Sequence, residues 1–227
     1  MGSGDIFTRK RGGLKARKKE KREPKPNSFL IVSEGEKTEP SYFDGIADYI
    51  NEKYGKSIAV EKPIIDICGE GKGTVRLVNE AAKLANRARI HYEQVWVVFD
   101  KDEFKDFDEA IQLAEDMGFK AAWSNQSFEY WIYLHFNYSV SALDRSDWVE
   151  KLNQIFKARK IDPNGYEKNN DRIFEIVRQH GSLKKALERA VKIEEQYPPN
   201  MKPSQKDPCT TVYQLILALK PYMNELL

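Results

Sequence analysis

The sequence predicts an α/β fold: an open, mainly parallel four-stranded sheet flanked by helices, followed by a helical C-terminal region. Two observations support this. Short apolar runs alternate with helical patterns up to residue 136, and no segment after Asn137 is typical of a strand. Strands that alternate with helices are joined by right-handed crossovers and form a parallel sheet. We therefore divide the chain into a basic arm (1–27), an α/β domain (28–138) and a helical region (139–227) that packs on the sheet domain.

The individual elements follow from local patterns. A continuous apolar run predicts the first strand at residues 29–32, buried on both faces. A helix should begin at Thr38-Glu39-Pro40, because proline is favoured in the first turn of a helix. The remaining patterns predict strands within 58–68 and at 94–99 and 119–123, and helices after Thr74 and at 106–117, 126–136, 146–158, 170–180, 182–196 and 210–226.

Charge is distributed unevenly along the chain. The net charge is only +2, yet ten Lys or Arg and two Glu lie between Arg9 and Lys25, which leaves the rest of the chain near −6. The arm has almost no apolar residues and cannot bury enough surface to fold alone. It binds the phosphates of a nucleic acid, or it is a solvated tail, or it is an arm that packs on a partner.

Several classes of protein are excluded by composition. Two cysteines, Cys68 and Cys209, do not make a disulfide framework, so we expect a cytoplasmic protein. The longest apolar runs, near Trp96 and Tyr133, are too short to span a bilayer, and no apolar stretch follows the basic N-terminus as in a signal peptide. The three histidines lack zinc-like spacing. We therefore expect no membrane association and no zinc site.

Carboxylates follow two of the predicted strands. Glu34 follows the first strand, and Asp100 and Asp102 follow the third. In an open parallel sheet, ligands bind at the carboxyl ends of the strands, so we expect these three side chains to converge. Oxygen ligands are those that Mg²⁺ prefers, and a cation relieves the repulsion between clustered carboxylates. The pattern predicts a divalent metal site for phosphoryl transfer.

Three more side chains near these strand ends are candidates. Lys37 either contacts a substrate phosphate or forms a surface ion pair of little energetic value. Glu129 has an aromatic surround, where an unpaired carboxylate is costly, so we expect it to bind a metal or position a water. His135 shares a helical face with aromatic residues and is either a catalytic group or a hydrogen-bonded core histidine.

The glycine-rich stretch at 69–74 does not match a P-loop. Lys72 is followed by glycine instead of Ser or Thr, and the upstream glycine is missing at the required spacing. We interpret the stretch as a turn between a strand and a helix, and expect no ATP binding by this chain.

The acidic strand ends resemble the Toprim domain of topoisomerases, primases and overcoming-lysogenization-defect nucleases. In that domain a Glu after the first strand and an Asp-x-Asp after the third bind Mg²⁺. A closer resemblance, over nearly the whole chain, is to the RloB-like family of bacterial defence-associated proteins. It is carried by the stretches SEGEKTEPSYF (33–43), FDKDEF (99–104), SNQSFEYWIYLHF (124–136) and DPCTTVY (207–213).

This resemblance implies a Toprim-like fold and a Mg²⁺-dependent nuclease, with Mn²⁺ as a substitute metal. It further implies a role in anti-phage defence beside an ATPase partner. Transferred by position, Glu34, Asp100 and Asp102 are the metal ligands and catalytic residues. The supporting candidates are Glu36, Lys37, Glu129 and His135. One departure is visible: Toprim domains commonly continue as Glu-Gly-x-x-Asp, whereas no Asp follows Gly35 here.

Two alternatives remain open from the sequence. A receiver-like phosphoacceptor module would use Glu34, Asp100 and Ser124, although no fifth strand carrying a lysine is predicted. A non-catalytic subunit of a defence complex would retain only a vestigial site. The sequence also leaves open whether the substrate is DNA or RNA, whether one or two metals bind, and whether the chain forms an oligomer.

Overall fold

The structure, a computed structural model, describes residues 28–35, 37–55, 58–61, 73–89, 91–101 and 105–223. The predicted basic arm lies outside these residues. The strands are β1 (Phe29–Ser33), β2 (Ile58–Glu61), β3 (Gln94–Asp100), β4 (Lys120–Asn125) and β5 (Cys209–Thr210). The helices are α1 (Thr38–Tyr54), α2 (Gly73–Arg87), α3 (Phe107–Asp116), α4 (Phe128–Leu134), α5 (Arg145–Ala158), α6 (Ile173–His180), α7 (Leu183–Glu194) and α8 (Val212–Leu219), with 3-10 turns at Pro203–Gln205 and Lys220–Tyr222.

The described strands form one sheet in the order β2-β1-β3-β4-β5. The first four are mutually parallel, which confirms the predicted α/β class and agrees with the Toprim-like fold that the resemblance implied. The strands β1 and β3 are direct neighbours, with Ser33 opposite Val98. The residues that follow these two strands therefore lie at the same edge of the sheet.

The prediction of no strand after Asn137 is wrong. The strand β5 ends at Thr210, inside the segment that was predicted as a helix from residue 210. It pairs antiparallel with β4 and makes the sheet five-stranded. The pairing is extended by Thr211, whose N–H donates to the Trp123 carbonyl at 2.8 Å. A strand of two residues is too short to show the alternation on which sequence prediction depends.

Two hydrophobic layers cover the sheet. Along β1, Phe29 and Ile31 face one layer, and Leu30 and Val32 face the other. The first layer contains buried residues of α1 and of α4 to α8, whereas the second contains those of α2 and α3. This arrangement explains the continuous apolar run of β1, because both of its faces are buried. Helices from the C-terminal half of the chain therefore share a core with α1 and the sheet.

The start of α2 is capped by a side chain from another element. Asp106, directly before α3, accepts a hydrogen bond from the Val75 N–H through Oδ2 at 2.9 Å. Residues 69–72 of the glycine-rich stretch lie outside the described residues. A carboxylate thus occupies the N-terminal end of α2, and the interpretation of residues 69–74 as a turn stays a prediction.

Within the described ranges, no helix is both long enough and apolar enough to cross a membrane.

Candidate functional site

Asp100 is the last residue of β3 and lies at the carboxyl edge of the sheet. It is only 6% exposed. Its Oδ2 accepts hydrogen bonds from the Phe128 N–H at 3.1 Å and from Arg145 Nη2 at 3.2 Å. The first bond places the carboxylate at the N-terminal end of α4, where unpaired backbone N–H groups favour negative charge. The second brings a cation from the start of α5.

Glu129 lies in the first turn of α4 and is 4% exposed. Its Oε1 forms an ion pair with Lys168 Nζ at 3.3 Å. The backbone of Lys168 is fixed to the start of α1, because its carbonyl accepts a hydrogen bond from Thr38 Oγ1 at 2.9 Å. The Glu129 carboxylate, for which the sequence predicted aromatic surroundings, is thus paired with a lysine from the loop between α5 and α6.

A third buried carboxylate, Glu39, belongs to the first turn of α1 and is 9% exposed. Its carboxylate lies against Gly35, so that a β-carbon at position 35 would overlap it. The sequence analysis placed Glu39 only as part of a helix start. The signal that could have identified Glu39 as a site residue is its position. It lies five residues after Glu34, in the segment where a Toprim domain carries a further acid.

The three carboxylates influence one another electrostatically. Burial is the main reason that the pKa of Asp100 is raised well above its ordinary value, and the charges of Glu39 and Glu129 raise it further, whereas Arg145 lowers it. The pKa of Glu39 is raised to about 7, again mainly by burial and also by Glu129, while Arg145 and Lys168 oppose the shift. The site is therefore a buried acidic group that is balanced by two basic side chains.

A tyrosine completes the surroundings of this acidic group. The side chain of Tyr166, in the loop before α6, is buried. Burial is the main cause that raises the pKa of its phenol, followed by the negative charge of Glu129. The Tyr166 phenol is therefore neutral at physiological pH and adds no charge to the site.

The predicted metal ligands are described only in part. Glu34 follows β1, and its N–H donates to the Val98 carbonyl at 2.9 Å, which places it at the same edge as Asp100. Asp102 lies outside the described residues, as does Glu36. In the part of the chain that the structure describes, no three His, Cys, Asp or Glu side chains form a group that could hold a metal ion. Convergence of all three predicted ligands therefore stays a prediction.

Lys37 is exposed and immediately precedes α1, two residues before Glu39. This places its backbone beside the acidic group and leaves its side chain open to solvent. Its predicted contact with a substrate phosphate stays a prediction.

His135 lies at the opposite end of α4 from Glu129. It is buried in an aromatic cluster, its Nε2 is 3.2 Å from the hydroxyl of Tyr42, and its ring packs edge-on against Trp131. Burial, with a contribution from Arg189, lowers the pKa of His135 to about 3. Six residues of helix separate it from Glu129 by about 9 Å along the axis. The described contacts are those of a neutral core histidine, which was one of the two predicted alternatives.

Ser124, the residue that suggested a receiver-like module, is engaged within the sheet. Its hydroxyl is 3.0 Å from Thr210 Oγ1 in β5. A receiver-like module needs a fifth strand with a lysine, whereas β5 is antiparallel and contains Cys209 and Thr210. The described strands thus lack the element that this alternative requires.

Arg145 and Lys168 were missed by the sequence analysis, which treated residues after 138 as packing helices. Both residues reach the site from segments distant in sequence, and no local pattern marks them. They contact Asp100 and Glu129 because the fold places α5 and the α5–α6 loop beside the carboxyl edge of the sheet.

Comparison with known protein families gives a match over most of the chain. The family model described as RloB-like protein matches residues 29–219. No curated protein and no solved structure matches the chain. The matched range contains every described element of the sheet and all the described residues of the acidic group. The chain therefore belongs to the RloB-like protein family.

Proposed function

We propose that this protein is a metal-dependent nuclease whose active site is the acidic group at the carboxyl edge of the sheet. The observation that supports it most is the burial of Asp100 at the end of β3 together with Glu39 and Glu129. Burying like charges together is costly unless cations compensate them. A fold that keeps three carboxylates in this position does so most simply for a chemical purpose.

The side chains present have the right chemistry for a divalent metal. Carboxylate oxygens are the preferred ligands of Mg²⁺ and Mn²⁺. Glu34 and Asp100 lie at one edge of the sheet, and Asp102 is two residues beyond β3 in sequence. These three would hold the metal, with Glu39 as a further oxygen ligand. When bound, Mg²⁺ would polarise a phosphodiester and neutralise its charge.

Nucleic acid is the proposed substrate because of the basic arm. Ten Lys or Arg against two Glu between residues 9 and 25 give a sequence-independent attraction for phosphates. Lys37, exposed beside the acidic group, would add a positive charge near the scissile phosphate. Work in anti-phage defence beside an ATPase partner, which the family resemblance implies, is part of the same proposal.

Metal binding is the first test. Mn²⁺ and Mg²⁺ are titrated by calorimetry into the wild type, into an Asp100→Asn, Asp102→Asn double variant, and into Asp147→Asn, which removes an exposed carboxylate of α5. We expect saturable binding to the wild type and to Asp147→Asn, and loss of binding in the double variant. Equal titrations for all three proteins would contradict the metal site.

Cleavage is the second test. Single- and double-stranded DNA and RNA are incubated with the wild type and the double variant, with and without a candidate ATPase partner. We expect cleavage that requires the metal and is abolished in the double variant. A wild type that neither binds the metal nor cleaves any of these substrates would favour a non-catalytic subunit with a vestigial site instead.

A further inference from the structure

Both cations of the acidic group come from outside the α/β part of the chain. Arg145 is the first residue of α5, and Lys168 lies in the loop before α6. Their side chains are 41% and 44% exposed, whereas the carboxylates that they contact are nearly inaccessible. Each cation therefore has one end on a buried acid and a large part of its side chain in solvent.

This geometry differs from that of an ion pair built only for stability. Two half-exposed cations face three buried carboxylates, so the described site contains more potential negative than positive charge. Buried ion pairs that stabilise need close enclosure and full hydrogen bonding of both partners. Here the carboxylates are enclosed, whereas the two basic side chains are not. Arg145 and Lys168 can therefore exchange their carboxylate partners for another anion.

The cations can move without rearranging the fold. The Lys168 backbone is fixed by Thr38, so a change of partner needs only rotation of its long side chain. Arg145 sits at the very start of its helix, and its guanidinium can turn away while α5 stays packed through Trp148. Side-chain rotations of half-exposed residues occur in picoseconds to nanoseconds.

We propose that Arg145 and Lys168 are the counter-ions of the metal-free site and bind the substrate's phosphate once a divalent cation has taken over the carboxylates. The inference rests on the proposed function, because it assumes a metal at this site. In the metal-free protein each basic group neutralises one acid. With the acids held by metal, both basic groups turn to the nearest remaining anion, which is a phosphate of the nucleic acid. Arginine and lysine are the side chains that bind phosphate best, through charge-assisted hydrogen bonds.

Metal affinity tests the first half of this inference. Mn²⁺ is titrated by calorimetry into the wild type, Arg145→Gln, Lys168→Gln and the control Lys157→Gln, which removes an exposed charge from α5. If the two cations compete with the metal, each site variant binds Mn²⁺ about tenfold more tightly than the wild type. The control should bind like the wild type. Far-ultraviolet circular dichroism verifies folding, and Arg145→Lys, which keeps the charge, should restore the wild-type affinity.

Nucleic acid affinity tests the second half. Fluorescein-labelled single-stranded DNA and RNA oligonucleotides are bound to the same proteins in Ca²⁺, to limit cleavage, and in EDTA, and the anisotropy is measured. In Ca²⁺ each site variant should bind about tenfold more weakly than the wild type, because a phosphate contact is lost. In EDTA the variants should equal the wild type, because both cations are then held by carboxylates.

The outcomes separate the inference from the proposed function. A wild type that binds no metal contradicts the proposed function itself. A wild type that binds metal, with unchanged Mn²⁺ affinity in both site variants, overturns the inference alone. Oligonucleotide affinity that falls equally in Ca²⁺ and EDTA also overturns it, since the cations would then bind nucleic acid regardless of the metal.

Discussion

Gly35 and the carboxylate of Glu39 are packed so closely that any larger residue at position 35 would have to displace that carboxylate. A β-carbon built there would overlap the carboxylate carbon and both carboxylate oxygens of Glu39. The obstructing atoms are the far end of a side chain, so it is the Glu39 carboxylate that must give way. The turn after β1 and the first turn of α1 therefore determine together where this acid lies.

Gly35→Ala should displace the Glu39 carboxylate from the acidic group. We expect the affinity for Mn²⁺ to fall about tenfold, as for the loss of a group that positions a metal ligand, with little change in stability. The measurement is calorimetric titration, with the thermal midpoint recorded in EDTA. In a Glu39→Ala background the same substitution should have no effect on metal affinity, because its target is gone. A full effect in that background would show that Gly35 acts by another route.

His135→Gln should make the stability of the folded protein less sensitive to a fall in pH. Because the folded-state pKa of His135 is lowered to about 3 from an ordinary 6.5, the folded protein binds this proton more weakly than the unfolded chain. Its contribution to stability is therefore fully present above pH 6.5 and is lost as the pH falls towards 3. At pH 5 the loss amounts to about 2 kcal/mol.

Urea unfolding of the metal-free protein at pH 7 and pH 5 measures this effect. The difference in free energy of unfolding between the two pH values should shrink by that amount in His135→Gln, and should be unchanged in His180→Gln, where the histidine is exposed. Metal affinity should also survive the His135 substitution. Loss of metal affinity in a folded variant would instead favour the catalytic alternative for this residue.

Asp106→Ala should destabilise the protein by loosening the start of α2. The substitution removes the carboxylate that accepts the Val75 N–H, and loss of such a helix cap costs about 1–2 kcal/mol. Asp106→Asn keeps an oxygen acceptor, so it should lose less than half of that amount. Chemical denaturation of both variants gives the comparison, and equal losses would show that the charge of Asp106 matters more than the cap.

The parallel α/β sheet and the position of Asp100 at its carboxyl edge could be predicted because they depend on local patterns. A buried parallel strand needs a continuous apolar run, and β1 and β3 both have one that ends abruptly in carboxylates. The adjacency of these two strands then follows from the common topologies of parallel sheets. Asp100 was placed at the ligand edge by these two facts alone.

The remaining members of the site could not be predicted, since they come together through tertiary contacts. Glu39 lies in a helical turn where an acid is ordinary. Lys168 lies in a polar loop that a hydrogen bond from Thr38 joins to α1, and from there its side chain meets Glu129. Polar contacts between distant segments leave no periodicity in the sequence, and β5 is too short to leave any.

The short strand β5 determines how far the chain can be shortened without aggregation. It covers the outer edge of β4 at Ser124 and Asn125, which would otherwise present unpaired backbone groups to solvent. An open strand edge recruits strands from other molecules. A version of the chain shortened to its first 138 residues would lose this cover and expose the apolar layer beneath α5 to α8. Such a fragment should self-associate, so residues 139–227 also protect the sheet against aggregation.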